Sequence, residues 1–258
     1  MGRLSAVLYG LFSYAVFLVS FLYAVGFLAD RWVPKTIDSG GGAPVIAALA
    51  IDLALLTLFA IQHSVMARPA FKRWWTRFVP QSVERSTYVL AASLVLLLMF
   101  WLWQPLPGRV WTLTGPGADV VWGLYGLGWA VVLVSTFFIS HTHLFGLQQI
   151  YSHWHRQAPN DPEFQLNGLY RHVRHPIMLG FIIAFWSAPD MSWGRLLFAV
   201  ASTGYILVAL QFEEHDLVTA FGSRYREYKA RVPMLVPRPR RPDRGAGVDA
   251  TQTDRGLR

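Results

Sequence analysis

Residues 4–28, 44–66, 88–103 and 120–140 contain no lysine or arginine. Each run is long enough, or nearly so, to cross the roughly 30 Å hydrocarbon core of a bilayer as a helix. A soluble core built from 258 residues does not need four such runs. Two further apolar runs, 177–188 and 193–212, are separated by Pro189-Asp190-Met191-Ser192 and read as a C-terminal helical hairpin whose first arm is short for a full crossing. Within lipid the backbone must satisfy its own hydrogen bonds, which continuous apolar runs of this length do as helices. The expected fold is an all-α integral membrane protein with five to six transmembrane helices, the sixth crossing only in part.

Charge then orients the chain. Lysine and arginine accumulate on the cytoplasmic side of membrane proteins. Arg68, Lys72, Arg73, Arg77 and Arg85 lie between the second and third spans, Arg156, Arg171 and Arg174 follow the fourth, and ten more follow the hairpin. The alternate loops hold only Arg31 and Lys35, Arg109, and Arg195. Both termini are therefore expected in the cytoplasm, in keeping with a bacterial inner-membrane protein. The net charge of +8 reads as topology together with attraction to anionic lipid headgroups, because the basic residues flank spans and form no separate nucleic-acid-binding domain. The first apolar run is too long for the core of a signal peptide and lacks a clear small-residue cleavage site, so it reads as a retained span. Cysteine is absent, which excludes disulfides, thiolate metal ligands and a covalent cysteine intermediate. One membrane domain is expected over residues 1–237, its polar half about 141–237, followed by a disordered basic tail at 238–258.

Ionisable residues beside lipid are expensive and mark a site by default. In the expected topology His63, His141, His143, Arg171, Arg174, His175, Glu213 and Glu214 all fall at cytoplasmic ends of spans. Six of the eight histidines, His141, His143, His153, His155, His172 and His175, lie in one polar insertion. Such spacing could serve a di-iron membrane oxygenase, although only His172-x-x-His175 approximates the required histidine boxes. Glu213 and Glu214 project about 100° apart on a helix, so one is expected to face a ligand while the other pairs with an arginine such as Arg174 or Arg224. Pro176 suits the first turn of the hairpin helix, with His175 at its cap and Gly180 one turn further on.

The order Gly168-Leu169-Tyr170-Arg171-His172-Val173-Arg174-His175-Pro176, Gly180, Glu213-Glu214, Leu217, Phe221-Gly222, Tyr225, Tyr228, Val232-Pro233 and Pro237 resembles the C-terminal half of the isoprenylcysteine carboxyl methyltransferase superfamily. Gln62-His63-Ser64-Val65-Met66-Ala67-Arg68-Pro69, Glu84-Arg85-Ser86-Thr87-Tyr88 and Leu144-Phe145-Gly146-Leu147-Gln148-Gln149 are similar to its bacterial thiol-methylating branch, so the likeness runs over most of residues 5–237. This resemblance implies S-adenosylmethionine as cofactor, held in a cytoplasmic pocket by Leu169, Tyr170, Arg171, Arg174, His175, Gly180, Glu213 and Glu214. Arginine forks suit its carboxylate, a glutamate suits its ammonium or ribose hydroxyls, and Gly180 leaves room for close approach. Met178 stands where the wider superfamily usually has tyrosine, which argues against copying the prenylated-substrate enzymes.

The implied reaction is methylation of a small thiol, methanethiol to dimethyl sulfide. A thiol must lose its proton, and His143, His63 and His141 are the candidate bases, with Gln148 and Gln149 expected near the substrate. The alternatives are methylation of a lipid or a prenylcysteine carboxylate, and a non-catalytic membrane accessory protein of the NnrU type.

Overall fold

The computed structural model describes residues 2–157 and 167–237; the tail at 238–258 lies outside the described residues. Five helices are long and apolar enough to cross a membrane: α1 (Arg3–Ala29), α2 (Val45–Ala67), α4 (Gln81–Leu102), α5 (Pro116–Ile139) and α9 (Trp193–Phe221). A sixth, α8 (Pro176–Trp186), is apolar but has only 11 residues. Short helices join them near the polar ends: α3 (Pro69–Trp75), α6 (His141–Leu144), α7 (Leu147–His155) and α10 (Ser223–Arg231). This is an all-α integral membrane protein.

The hairpin tip departs from the all-helical expectation. Strand β1 (Arg109–Thr112), in the connection between α4 and α5, pairs antiparallel with β2 (Asp190–Ser192) between α8 and α9. Ser192 caps α9 by accepting from the Arg195 amide at 3.1 Å, and its hydroxyl donates to Asp38. Arg195, almost fully buried, places Nε 3.1 Å from Asp38 and donates from Nη1 to the Asp190 carbonyl at 2.9 Å. Burial pushes the Asp38 carboxyl up, and Ser192 and Arg195 act against that rise. These bonds tie the hairpin tip to the other two loops at this end.

The spans form two packed groups. Helices α1, α2 and α4 lie together with α7 against them, while α5, α8 and the turn at Gly168–Arg171 form the other group, with α9 beside α8. Thinner seams join the groups. Tyr125 donates to the Val25 carbonyl at 2.5 Å, linking α5 to α1, and α2 meets α9 through Ser64 and Tyr205, whose hydroxyls are 3.0 Å apart. The dense apolar core, including Phe27, Leu55, Phe100, Trp103, Trp129 and Phe198, sits toward the end that carries β1 and β2. Its rings meet edge-on or tilted, as in Phe27–Trp103 at 6.1 Å and Trp103–Phe198 at 5.8 Å.

Lipid supplies no hydrophobic drive between helices, so close contact relies on small residues. Gly128 of α5 and Gly180 of α8 meet that need. A Cβ at Gly180 would lie 2.7 Å from the Gly128 carbonyl oxygen and 2.8 Å from the Val132 nitrogen, and one at Gly128 would lie 2.6 Å from the Ala184 nitrogen. Of the two occupants expected beside Gly180, cofactor or backbone, the backbone of α5 fills the space. Gly180→Leu is expected to cost about 1–3 kcal/mol through overpacking, read as a lowered melting temperature in detergent.

Candidate active site

The chain enters α8 through a sharp polar segment. Gly168 has φ +53°, and a Cβ there would strike the Phe138 ring of α5 at 2.5 Å, so glycine is required on both counts. Tyr170 is buried, with its carbonyl accepting from the Tyr228 hydroxyl at 2.6 Å. Amides of Arg174 and His175 donate to the carbonyls of Pro233 and Met234 at 2.9 and 3.2 Å. Pro176 then opens α8 with His175 as its cap residue. The segment after α10 thus lies alongside the start of α8.

Arg174 and Glu214 close this arrangement. Their side chains are 8% and 3% exposed, which makes the pair a buried one. Arg174 donates from Nε and Nη2 to Glu214 Oε1 at 2.7 and 2.6 Å, and from Nη1 to the carbonyls of Lys229 and Val232 at 3.0 and 2.5 Å. Lys229 Nζ reaches Glu214 Oε2 at 2.6 Å. A buried charge left unpaired is costly, and here both are matched and hydrogen-bonded. Arg174 and Glu214 are therefore paired within the protein, where they fasten α8, α9 and α10 to one another.

Glu213 has the opposite surroundings. Its side chain is 48% exposed, and Oε2 lies 3.8 Å from Nδ1 of the buried His175, whose Nε2 is 3.4 Å from Glu214. The Tyr170 phenol is pushed up, chiefly by burial and in part by the charge of Glu213. Burial likewise lifts Tyr228 to about 12. The offset of about 100° between adjacent glutamates thus separates a buried structural anion from an accessible one.

Against this geometry the relatives can be set. The chain is 55% identical over 242 residues to methanethiol S-methyltransferase of Mycobacterium tuberculosis, covering 93% of this chain and 99% of that protein. The chain belongs to the methanethiol S-methyltransferase family. It is also 53% identical over 237 residues to methanethiol S-methyltransferase 2 of Bradyrhizobium diazoefficiens, covering 92% of each. Nurim of Bos taurus is a more distant relative, 33% identical over 184 residues that cover 67% of this chain and 69% of that protein. No family model matches the chain, and no solved structure is significantly similar.

Placed in a methanethiol S-methyltransferase family member, the other sequence candidates divide by position. Leu169 and Arg171 sit on the short turn before α8, Leu169 partly buried and Arg171 exposed. His63 lies near the end of α2 with Tyr88 of α4 beside it. His141 has both ring nitrogens engaged: Tyr14 of α1 at 2.8 Å from Nε2 and Thr136 of α5 at 2.8 Å from Nδ1. Because Thr136 donates its own proton to Leu133, its oxygen accepts from Nδ1–H and Tyr14 donates to Nε2. Burial lowers the His141 pKa. His143 stands on α6 two residues on.

Gln148 and Gln149, partly buried on α7, belong to a helix packed on α1 and α4. The preceding Gly146 has φ +83°, and a Cβ there would meet Ser86 of α4 at 2.7 Å. Among the described residues no group of three histidine, cysteine, aspartate or glutamate side chains is placed to hold a metal ion. Lys229 and Tyr14 escaped the sequence reading because a lysine in a polar helix and a tyrosine inside the first apolar run give no local sign of partners distant in sequence. A lysine one helical turn after Tyr225 is an ordinary surface signal.

Two measurements follow. Arg174→Met should cost about 3–5 kcal/mol in thermal unfolding, since it strands Glu214, whereas Lys229→Met, whose side chain is 46% exposed, should cost under about 1 kcal/mol. His141 binds its proton less readily when folded than its usual value of about 6.5, so its contribution to stability is present above that pH and is lost as pH falls below it. The melting temperature of His141→Gln should decline less steeply below pH 6.5 than that of the native chain.

Proposed function

We propose that this chain methylates methanethiol to dimethyl sulfide with S-adenosylmethionine as methyl donor. The observation that carries the reading is 55% identity to a methanethiol S-methyltransferase across 93% of this chain. It acts from the cytoplasmic face of a bacterial inner membrane, with both termini on that side, as the distribution of lysine and arginine supports.

The residues present fit such a donor. Glu213 is an accessible acceptor for an ammonium or for ribose hydroxyls, and His175 beside it adds a polar edge. Tyr170, buried, and Leu169 before it are on this reading the apolar side chains for a purine. Arg171, exposed on the turn before α8, is on this reading the arginine for the carboxylate, and the Arg174 fork serves Glu214 and two carbonyls. When bound, the donor supplies an electrophilic methyl group on a cationic sulfur. The protein's own work is to hold the two reactants in line, where positioning contributes much of the acceleration. It must also remove the thiol proton, because an unperturbed thiol titrates near pH 8.5. His63 and His143 are the candidates for that step; His141 is held by Tyr14 and Thr136.

Headspace gas chromatography on membranes carrying this chain, supplied with methanethiol and S-adenosylmethionine, tests the reading. Dimethyl sulfide is expected from the native chain, and at least tenfold less from Glu213→Ala. A native chain that binds the donor yet makes no dimethyl sulfide would redirect the search to lipid or prenylcysteine acceptors. Failure to bind it would favour a non-catalytic accessory protein.

A further inference from the structure

Glu213, His175 and Tyr170 lie on the group of helices built from the C-terminal half. Across the α2–α9 seam lies a second set of polar side chains that the donor does not require. Phe59, His63, Tyr88 and Tyr205 come together where α2, α4 and α9 approach one another, all four only partly buried. The Phe59 ring stacks on the His63 imidazole at 5.1 Å and 24°, and meets Tyr205 edge-on at 6.3 Å. The Tyr88 hydroxyl is 2.9 Å from Nε2 and 3.1 Å from Nδ1 of His63. Tyr205 is held by Ser64, one residue along α2.

Two observations tie this set to the donor side. Glu213 lies within electrostatic reach of both Tyr88 and Tyr205, as it does of Tyr170. Arg68 of α2 pairs with Asp216 of α9 at 2.9 Å and lies over Phe212 at 5.6 Å, so the same two helices are fastened a turn beyond His63. An imidazole and two phenols inside a membrane span are costly, and packing α2 on α4 does not need them. Their aromatic rings gather around one titratable imidazole, and that combination of apolar surface and base suits a short alkyl thiol.

We propose that Phe59, His63, Tyr88 and Tyr205 form the thiol subsite, with His63 as the base, Tyr88 as the residue that positions it, and Phe59 with Tyr205 limiting alkyl length. The inference rests on the thiol-methylation reading above. The thiol S–H gives its proton to the unprotonated ring nitrogen of His63, and the bonding pair stays on sulfur as the nucleophile. The Tyr88 hydroxyl oxygen accepts from the N–H of the protonated ring nitrogen and leaves the unprotonated one for this transfer. Phe59 stands on the side of His63 toward the apolar core, where a longer chain would have to extend.

The test supplies methanethiol and 1-butanethiol at equal concentration, with S-adenosylmethionine, to membranes carrying the native chain or a variant, and quantifies both methyl sulfides in the headspace. Phe59→Ala is expected to raise the ratio of butyl methyl sulfide to dimethyl sulfide at least tenfold, since each methylene admitted to an apolar pocket is worth roughly ten- to 200-fold in specificity. Phe59→Leu should raise it less, and carries the test if the alanine variant fails to accumulate. Phe198→Leu, in the apolar core, should leave the ratio unchanged. Tyr88→Phe should lower kcat for methanethiol and displace the acid limb of its pH profile, a change that a purely structural role would not produce. An unaltered ratio in Phe59→Ala and Phe59→Leu, or an unmoved pH profile in Tyr88→Phe, overturns the subsite. Absence of any methyl sulfide from the native chain instead overturns the reading on which it rests.

Discussion

The buried pair between Arg174 and Glu214 is the contact on which the polar end of this protein depends. Two opposite charges have been taken out of water, and that is tolerated only because each finds several partners. Arg174 spends its donors on Glu214 and on the carbonyls of Lys229 and Val232; Glu214 receives Arg174 on one oxygen and Lys229 on the other. Through these bonds the entrance to α8, the end of α9 and the whole of α10 become one unit. Glu213 owes its accessibility to the same constraint, because the helix turn that buries its neighbour carries it outward beside His175.

At the opposite end the chain uses a different device. Aromatic rings of α1, α4, α5, α8 and α9 interlock, and a short β-ribbon with Asp38, Ser192 and Arg195 fastens the hairpin tip. Between the two ends, α5 and α8 approach closely enough that only glycine fits at 128 and 180. Apolar and glycine packing thus make a rigid frame, while His175, Arg174 and the glutamate pair gather at the other end of the same helices. On the proposed reading this division lets a reaction between a cationic donor and a small thiol proceed in a sheltered place without weakening the frame.

Much of this could be read in the amino-acid order. Runs free of lysine and arginine marked four of the five long spans, the apolar run 193–212 marked the fifth, and the shortness of residues 177–188 anticipated an α8 of only 11 residues. Pro176 marked a helix start with His175 as cap, and the angular offset of Glu213 and Glu214 foretold that only one would pair with an arginine. Partners distant in sequence were not legible. Tyr14 and His141 are 127 residues apart and Ser64 and Tyr205 are 141 apart, and no local pattern signals that they touch.

By itself, then, the sequence determined the membrane class, the spans, the ends at which charge collects and the family, because hydropathy and motif order are local properties of the chain. Tertiary structure decided which polar residue does what. It assigned Arg174 and Glu214 to fastening helices, Gly180 to contact with α5, and His141 to a double hydrogen bond, while leaving Glu213 accessible. The physical reason is that a side chain's role depends on whether its hydrogen bonds are already satisfied, and satisfaction is set by neighbours that only folding brings near.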